Sequence, residues 1–440
     1  MPSAGVPLVS KEQAFLETYF LSHSKFAYDK AKDLSEKEKE ASKNHPSILW
    51  TSCLNQLVSL AVAEKAYTSL VFLCSQNLSK RFLGRRDNLK TTYSHMLTEF
   101  RRMEESTRKH VKSGNMLDSL LGHLSGHLCH FITARLKTME FYEQTVAMAQ
   151  SKVVSFEDLL NVISEIIQSH QKNFHHPILS PIKCTFSLEC DVMYNLLMCQ
   201  MNICRCQFLP SLLHLHDAHS KLISWAGMAV TRDQQGKKLS FGASSRSVVH
   251  PLYQWLLKFK GLLISKFSLY FHDTLSRQAP APEVKALMAK TSIDFLAKIA
   301  TFQRKSDATC VSLILELTEM DEAYHGPGYH HPKKITDKPT GVDNFPAIFT
   351  FPGEKPDKLW PNVIMILMAK ADELSYGEKI IYFFDERMQK TYFLGQVDPK
   401  MTMLVLFENK KNEKDTYVNN TLSELCAQLK GSRVLLQLRS

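Results

Sequence analysis

A stripe of apolar side chains at helical spacing constrains this chain more than any other feature. Leu117, Leu120, Leu121, Leu124, Leu128, Phe131, Leu136 and Met139 recur every three to four residues. That repeat places side chains on one face of an α-helix, which is stable only when the face is covered. A second stripe runs through Leu49, Cys53, Leu57, Leu60, Tyr67, Leu70 and Cys74, and a third through Leu159, Val162, Ile163 and Ile166. Start signals stand where such helices need them. Ser10-Lys11-Glu12-Gln13 is a capping box, in which the Ser10 hydroxyl accepts a backbone N–H and Gln13 reaches back. Ser155-Phe156-Glu157-Asp158 opens the third stripe, and Pro46 suits the first turn of the second. Several long helices, each apolar on one face and joined by short breaks, make an antiparallel bundle. The helix at 251–278 ends sharply at Ala279-Pro280-Ala281-Pro282.

From about Thr309 the period changes. Val311-Ser312-Leu313-Ile314-Leu315 is a β-branched and leucine run, and further strands are expected at 347–351, 363–368, 379–384, 391–394 and 402–407. The pair at 379–394 reads as a hairpin closed by Asp385-Glu386-Arg387. Asp415 caps a helix that ends at Gly431, with Leu422, Leu425 and Leu429 inward, and 434–438 reads as an edge strand. The fold class is therefore mainly α with a C-terminal α+β part. A long-helix antiparallel bundle occupies 1–280, with a polar loop at about 231–247. A junction helix, a short strand and a long loop fill 281–345, and a small, mostly antiparallel sheet domain occupies 346–440.

Charge and composition narrow the function. The formal net charge is +10, but the basic residues fall in pairs such as Lys80-Arg81, Arg101-Arg102 and Lys333-Lys334. A nucleic-acid binder concentrates them in stripes or accompanies them with a module signature, and neither is present. No run approaches the ~18 apolar residues of a membrane span. The first residues, Met1-Pro2-Ser3-Ala4-Gly5, lack the basic and apolar regions of a signal peptide. Cys53, Cys74, Cys129 and Cys426 stand at core positions of helical stripes rather than in a disulfide frame, as a reducing compartment permits.

Two histidine patterns invite a chemical reading. His214-Leu215-His216-Asp217-Ala218-His219 lies near Cys199, Cys204 and Cys206, and the rival function built on it is a metal-dependent hydrolase. On a helix, however, His216 and His219 share a face while His214 lies ~200° from His216. Cys204 and Cys206 have the same mismatch. Partly buried histidines bonded to carbonyls are the expected arrangement, with no metal and no cofactor. The second pattern is a tripeptide that occurs twice. His175-His176-Pro177 leads into a helix, with Ser180 as N-cap and Pro181 in the first turn. His330-His331-Pro332 sits in a basic connector. No phosphate-binding glycine loop, nucleophile elbow or zinc-protease motif is present. No catalytic residue is assigned, and an interaction protein is the favoured reading. Its candidate docking residues are Gly328, Tyr329, His330, His331, Lys333 and Lys334 in the connector, with Lys237 and Lys238 in the polar loop.

Certain blocks carry a family resemblance. They are Phe174-His175-His176-Pro177-Ile178-Leu179-Ser180-Pro181, Phe208-Leu209-Pro210-Ser211-Leu212, Gly328-Tyr329-His330-His331-Pro332 and Trp360-Pro361-Asn362-Val363-Ile364-Met365-Ile366. In this order, over nearly the whole chain, they resemble the KICSTOR subunit 2 family. The resemblance implies a non-catalytic scaffold subunit at the cytosolic face of the lysosomal membrane, held there through partners. Those partners are kaptin, an integrin-alpha FG-GAP repeat protein and a large scaffold subunit. The implied role is recruitment of the GATOR complex, acting on mTOR complex 1 through Rag GTPases when amino acids or glucose are scarce. By fold analogy the C-terminal part is expected to be of roadblock or longin type. Self-association stays open.

Overall fold

The computed structural model describes residues 10–73, 88–109, 116–170, 172–229, 250–318, 339–375 and 379–439. The bundle begins with α1 (Lys11–Ser24), α2 (Tyr28–Ala41) and α3 (Ile48–Thr68). It continues through α4 (Leu89–Lys109), α5 (Met116–Gln150) and α6 (Phe156–His170). Helices α7 (Ser180–Cys204), α8 (Phe208–Ala229) and α9 (Pro251–Tyr270) complete it. The helix α5, 35 residues long, spans about 52 Å and packs along α4, as α2 does along α3 and α7 along α8.

The first two caps differ in detail from the sequence reading. Ser10 Oγ accepts the Gln13 N–H at 3.2 Å, but the Gln13 side chain donates to Glu17 instead of closing the box. Pro46 stands before α3, and Ser47 caps it by accepting the Trp50 N–H at 3.1 Å. Among the described residues no helix is long and apolar enough to cross a membrane.

Three shorter helices, α10 (His272–Gln278), α11 (Ala281–Ala289) and α12 (Phe295–Ser306), lead into the sheet. Its strands are β1 (Cys310–Leu315), β2 (Ala347–Phe351), β3 (Ile381–Asp385), β4 (Lys390–Asp398) and β5 (Met401–Phe407). They are antiparallel in the order β2-β1-β5-β4-β3. The hairpin β3–β4 turns where the sequence places it. Asp385 Oδ1 accepts the Arg387 and Met388 N–H groups at 2.9 and 3.0 Å.

Both faces of the sheet are covered, which is why β1 and β5 are buried at every position. Val311, Leu313, Met403, Val405 and Phe407 face the large core shared with the bundle. Ile314, Leu404, Leu406, Tyr392 and Leu394 face a smaller core completed by α13 (Trp360–Ala369), which α14 (Ala371–Ser375) follows.

Two expected strands are helices. Residues 363–368 belong to α13, where Val363, Ile364, Ile366 and Leu367 are buried while Met365 and Met368 are more than 60% exposed. A short unbroken apolar run fits a buried strand and a helix equally, and Pro361 in the first turn favours the helix. After α15 (Thr416–Lys430), Gly431 adopts φ +88 and reverses the chain into α16 (Ser432–Leu436) and a 3-10 turn. Residues 434–438 are therefore not an edge strand. Val434, Leu435 and Leu438 enter the large core, and Trp255 Nε1 donates to the Val434 carbonyl at 2.7 Å. Bundle and sheet thus share one continuous apolar core running from Leu16 to Leu438.

Candidate functional site

The connector residues Gly328, Tyr329, His330, His331, Lys333 and Lys334, and the loop residues Lys237 and Lys238, lie outside the described residues. The other candidates can be placed.

Of the three histidines of α8, His214 points away from the other two. His214 is half-buried, with Nδ1 2.7 Å from Asn195 Oδ1 on α7. His216 is exposed, 3.8 Å from the equally exposed Asp217. His219 is exposed too, with Nδ1 3.2 Å from Lys260 Nζ on α9. The expectation of partly buried rings bonded to carbonyls fits His214, whose partner is a side-chain amide oxygen, and is corrected for His216 and His219, which are exposed. Bundle positions 211, 215, 218 and 222 turn inward, which carries His216 and His219 outward. Among the described residues no three His, Cys, Asp or Glu side chains are placed to hold a metal ion. His216→Ala and His219→Ala should each change unfolding free energy by less than about 0.5 kcal/mol in urea titrations, as exposed positions do.

Cys204 Sγ lies 3.4 Å from Gln200 Nε2 and 3.7 Å from Asp398 Oδ1. Burial, reinforced by Asp398, pushes its thiol above the ordinary value and that of Cys206 up to about 12. Both are poor thiolate ligands.

At the first His-His-Pro tripeptide, His176 rather than Ser180 is the cap. Its Nδ1 accepts the Ile178 N–H at 3.3 Å over the turn Pro177–Leu179. Ser180 already has helical angles, φ −49 and ψ −40, because that turn runs directly into α7. A constellation missed from sequence stands beside it. His123, His127 and His130 share one face of α5 at i, i+4 and i+7, a spacing that is legible without a structure. They line an open groove of about 1110 Å³ with Glu104, Arg108 and Asp118. The His127 and His176 rings are 6.1 Å apart.

The strongest electrostatics are inside. Arg135 on α5 donates from Nε and Nη2 to Glu64 at 2.9–3.2 Å and from Nη1 to Glu189 at 2.6 Å. Tyr93 donates to Glu64 at 2.8 Å, and Tyr67 and Tyr142 donate to Glu189 at 2.5 and 3.0 Å. Burial opposes the Arg135 charge, yet the two glutamates outweigh it and hold the guanidinium above its usual pKa. Burial first, and the carboxylates second, push the three phenols well above theirs, so they stay donors. A second cluster joins bundle to sheet. Lys266 on α9 donates to Asp398 at 2.7–2.8 Å, Tyr270 donates to the same carboxylate at 2.6 Å, and Gln200 completes the set. Arg135, Glu189, Lys266 and Asp398 are each at most 5% exposed. Groups so enclosed cannot meet a substrate, and what they can do is fix which helices and strands pack together.

Comparison with known proteins places this architecture. A family model described as "KICSTOR complex C12orf66 like" matches residues 5–440. The chain is 42% identical over 436 residues to KICSTOR subunit 2 of Danio rerio, covering 98% of this chain and 96% of the relative. It is 41% identical over 434 residues to KICSTOR subunit 2 of Xenopus laevis, covering 98% and 97%. With family model and relatives agreeing over almost its entire length, the chain belongs to the KICSTOR subunit 2 family.

Proposed function

We propose that this chain is a non-catalytic scaffold subunit of a KICSTOR complex. It sits at the cytosolic surface of the lysosome through its partners and recruits GATOR, which restrains mTOR complex 1 by way of the Rag GTPases when amino acids or glucose are scarce. The carrying observation is similarity over 98% of the chain to relatives named as KICSTOR subunits. The geometry agrees with it. The convergent charged groups are sealed in the core as packing devices, and His214 turns toward Asn195, away from His216 and His219, which leaves a His214/His216/His219 hydrolase without a geometric basis. Kaptin, the integrin-alpha FG-GAP repeat protein and the large scaffold subunit are the proposed direct partners. The basic segments containing Lys237, Lys238 and Gly328 to Lys334 are proposed docking loops.

Cells lacking the chain should keep mTOR complex 1 substrates phosphorylated during amino-acid starvation, and re-expression should restore the fall. Replacing either basic segment by a Gly/Ser linker should weaken co-precipitation of the other subunits or of GATOR. An intact starvation response without the chain would sink the proposal. Zinc retained stoichiometrically through dialysis would revive the hydrolase.

A further inference from the structure

Exposed apolar side chains concentrate on one outward face. Leu209, Leu212, Leu213 and Ile223 on α8 are 39–60% exposed, and Leu257 and Ile264 on α9 are 36% and 38% exposed. The two helices run antiparallel in a register set by three contacts. The Phe208 and Phe271 rings are 5.3 Å apart, His219 meets Lys260 at 3.2 Å, and Tyr253 Oη donates to the Leu222 carbonyl at 2.9 Å. Leu257 therefore lies level with Ile223, and Ile264 lies within a turn of Leu212. The face has two apolar ends about 16 Å apart along α8, with His216, His219 and Lys260 between them.

That middle is short of negative charge. The sequence of α9 contains no Asp or Glu and that of α8 only Asp217. Lys260 is half-buried, and among the described residues it has no carboxylate partner. Burial lowers its pKa, and burial, Lys260 and His216 lower that of His219. A half-buried lysine against the His219 imidazole, with His216 on the same face, is the arrangement a partner's carboxylate would relieve.

We infer that this face docks an amphipathic helix of another subunit, one carrying an acidic residue between two apolar ends. The inference rests on the reading of the chain as a complex subunit. A second copy is disfavoured, because a two-fold contact would set Lys260, His216 and His219 against themselves. A lipid surface is disfavoured as well, since membrane-surface helices carry many Lys and Arg on their polar face and this middle has one lysine.

The test uses the full chain co-expressed with the other KICSTOR subunits. A photo-cross-linking residue at position 213 or 223 should capture an acidic, apolar-striped helix of another subunit. The double variant Leu213→Asp/Ile223→Asp and, separately, Lys260→Glu should each reduce co-purification about tenfold. Lys260→Arg should retain it, and melting by circular dichroism should match wild type in all three. Wild-type assembly with equal assembly of both disruptive variants would overturn the face alone. So would cross-links to a second copy, or binding to phosphatidylserine vesicles that the variants lose. Failure of the wild-type chain to assemble would remove the subunit reading and this inference with it.

Discussion

Arg135→Ala should lower unfolding free energy by about 3–5 kcal/mol, the usual cost of removing one partner from a buried ion pair. The guanidinium serves two carboxylates on two other helices, Glu64 on α3 and Glu189 on α7, and all three side chains are at most 5% exposed. Alanine would leave both carboxylates in the core with only tyrosine hydroxyls as partners. It would also remove the cation from above the Tyr67 ring, 4.3 Å from its centroid. Against a domain stability of about 5–15 kcal/mol, that is a large fraction. Urea titration should show the midpoint falling sharply with little change in slope. Neutralising the rest of the cluster separates charge from shape. Arg135→Met combined with Glu64→Gln and Glu189→Gln keeps acceptors for the tyrosines and should recover more than half of the loss. A cost under about 1 kcal/mol for Arg135→Ala would show that the cluster does not hold the bundle together.

Acid should destabilise the protein well before its carboxylates titrate. Burial, with Arg135 adding to it, lowers His23 and His250 to about 3. Their unfolded value is about 6.5, so the folded state favours the neutral ring. The resulting stability is complete above pH 6.5 and is lost progressively as pH falls toward 3, because the unfolded chain binds the proton first. At pH 5 each ring should cost about 2 kcal/mol. His23 is the cleaner probe. It packs against Tyr19 and Tyr28, and its Nε2 is buried with no hydrogen-bond partner among the described residues. His23→Phe should match wild type at pH 8 and be more stable by about 2 kcal/mol at pH 5. Superimposable pH profiles for the two proteins would refute the assignment.

Local chemistry was the legible part of the fold. Ser10, Asp415 and Gly431 act as helix caps and stops because a cap is decided by the residue and its next three neighbours. The turn after Asp385 was readable for the same reason. The run at 363–368 was not, because its apolar residues satisfy strand and helix alike and the choice was made by the sheet face that α13 covers. The candidate site was less legible still. The shared face of His123, His127 and His130 stood in the spacing, whereas the exposure of His216 and His219 depended on which side of α8 meets α7 and α9.

The sequence by itself determined the bundle, the change to a sheet near residue 310 and, through its long unusual blocks, the family. Only the tertiary structure decided which polar residues lie inside. Arg135 finds its glutamates 71 and 54 residues away, and Lys266 finds Asp398 132 residues away. A lone Arg, Lys, Glu or Asp in an amphipathic helix or at a strand end is indistinguishable from a solvated one until its partner is known. Burial becomes tolerable only when opposite charges from distant elements arrive at the same point.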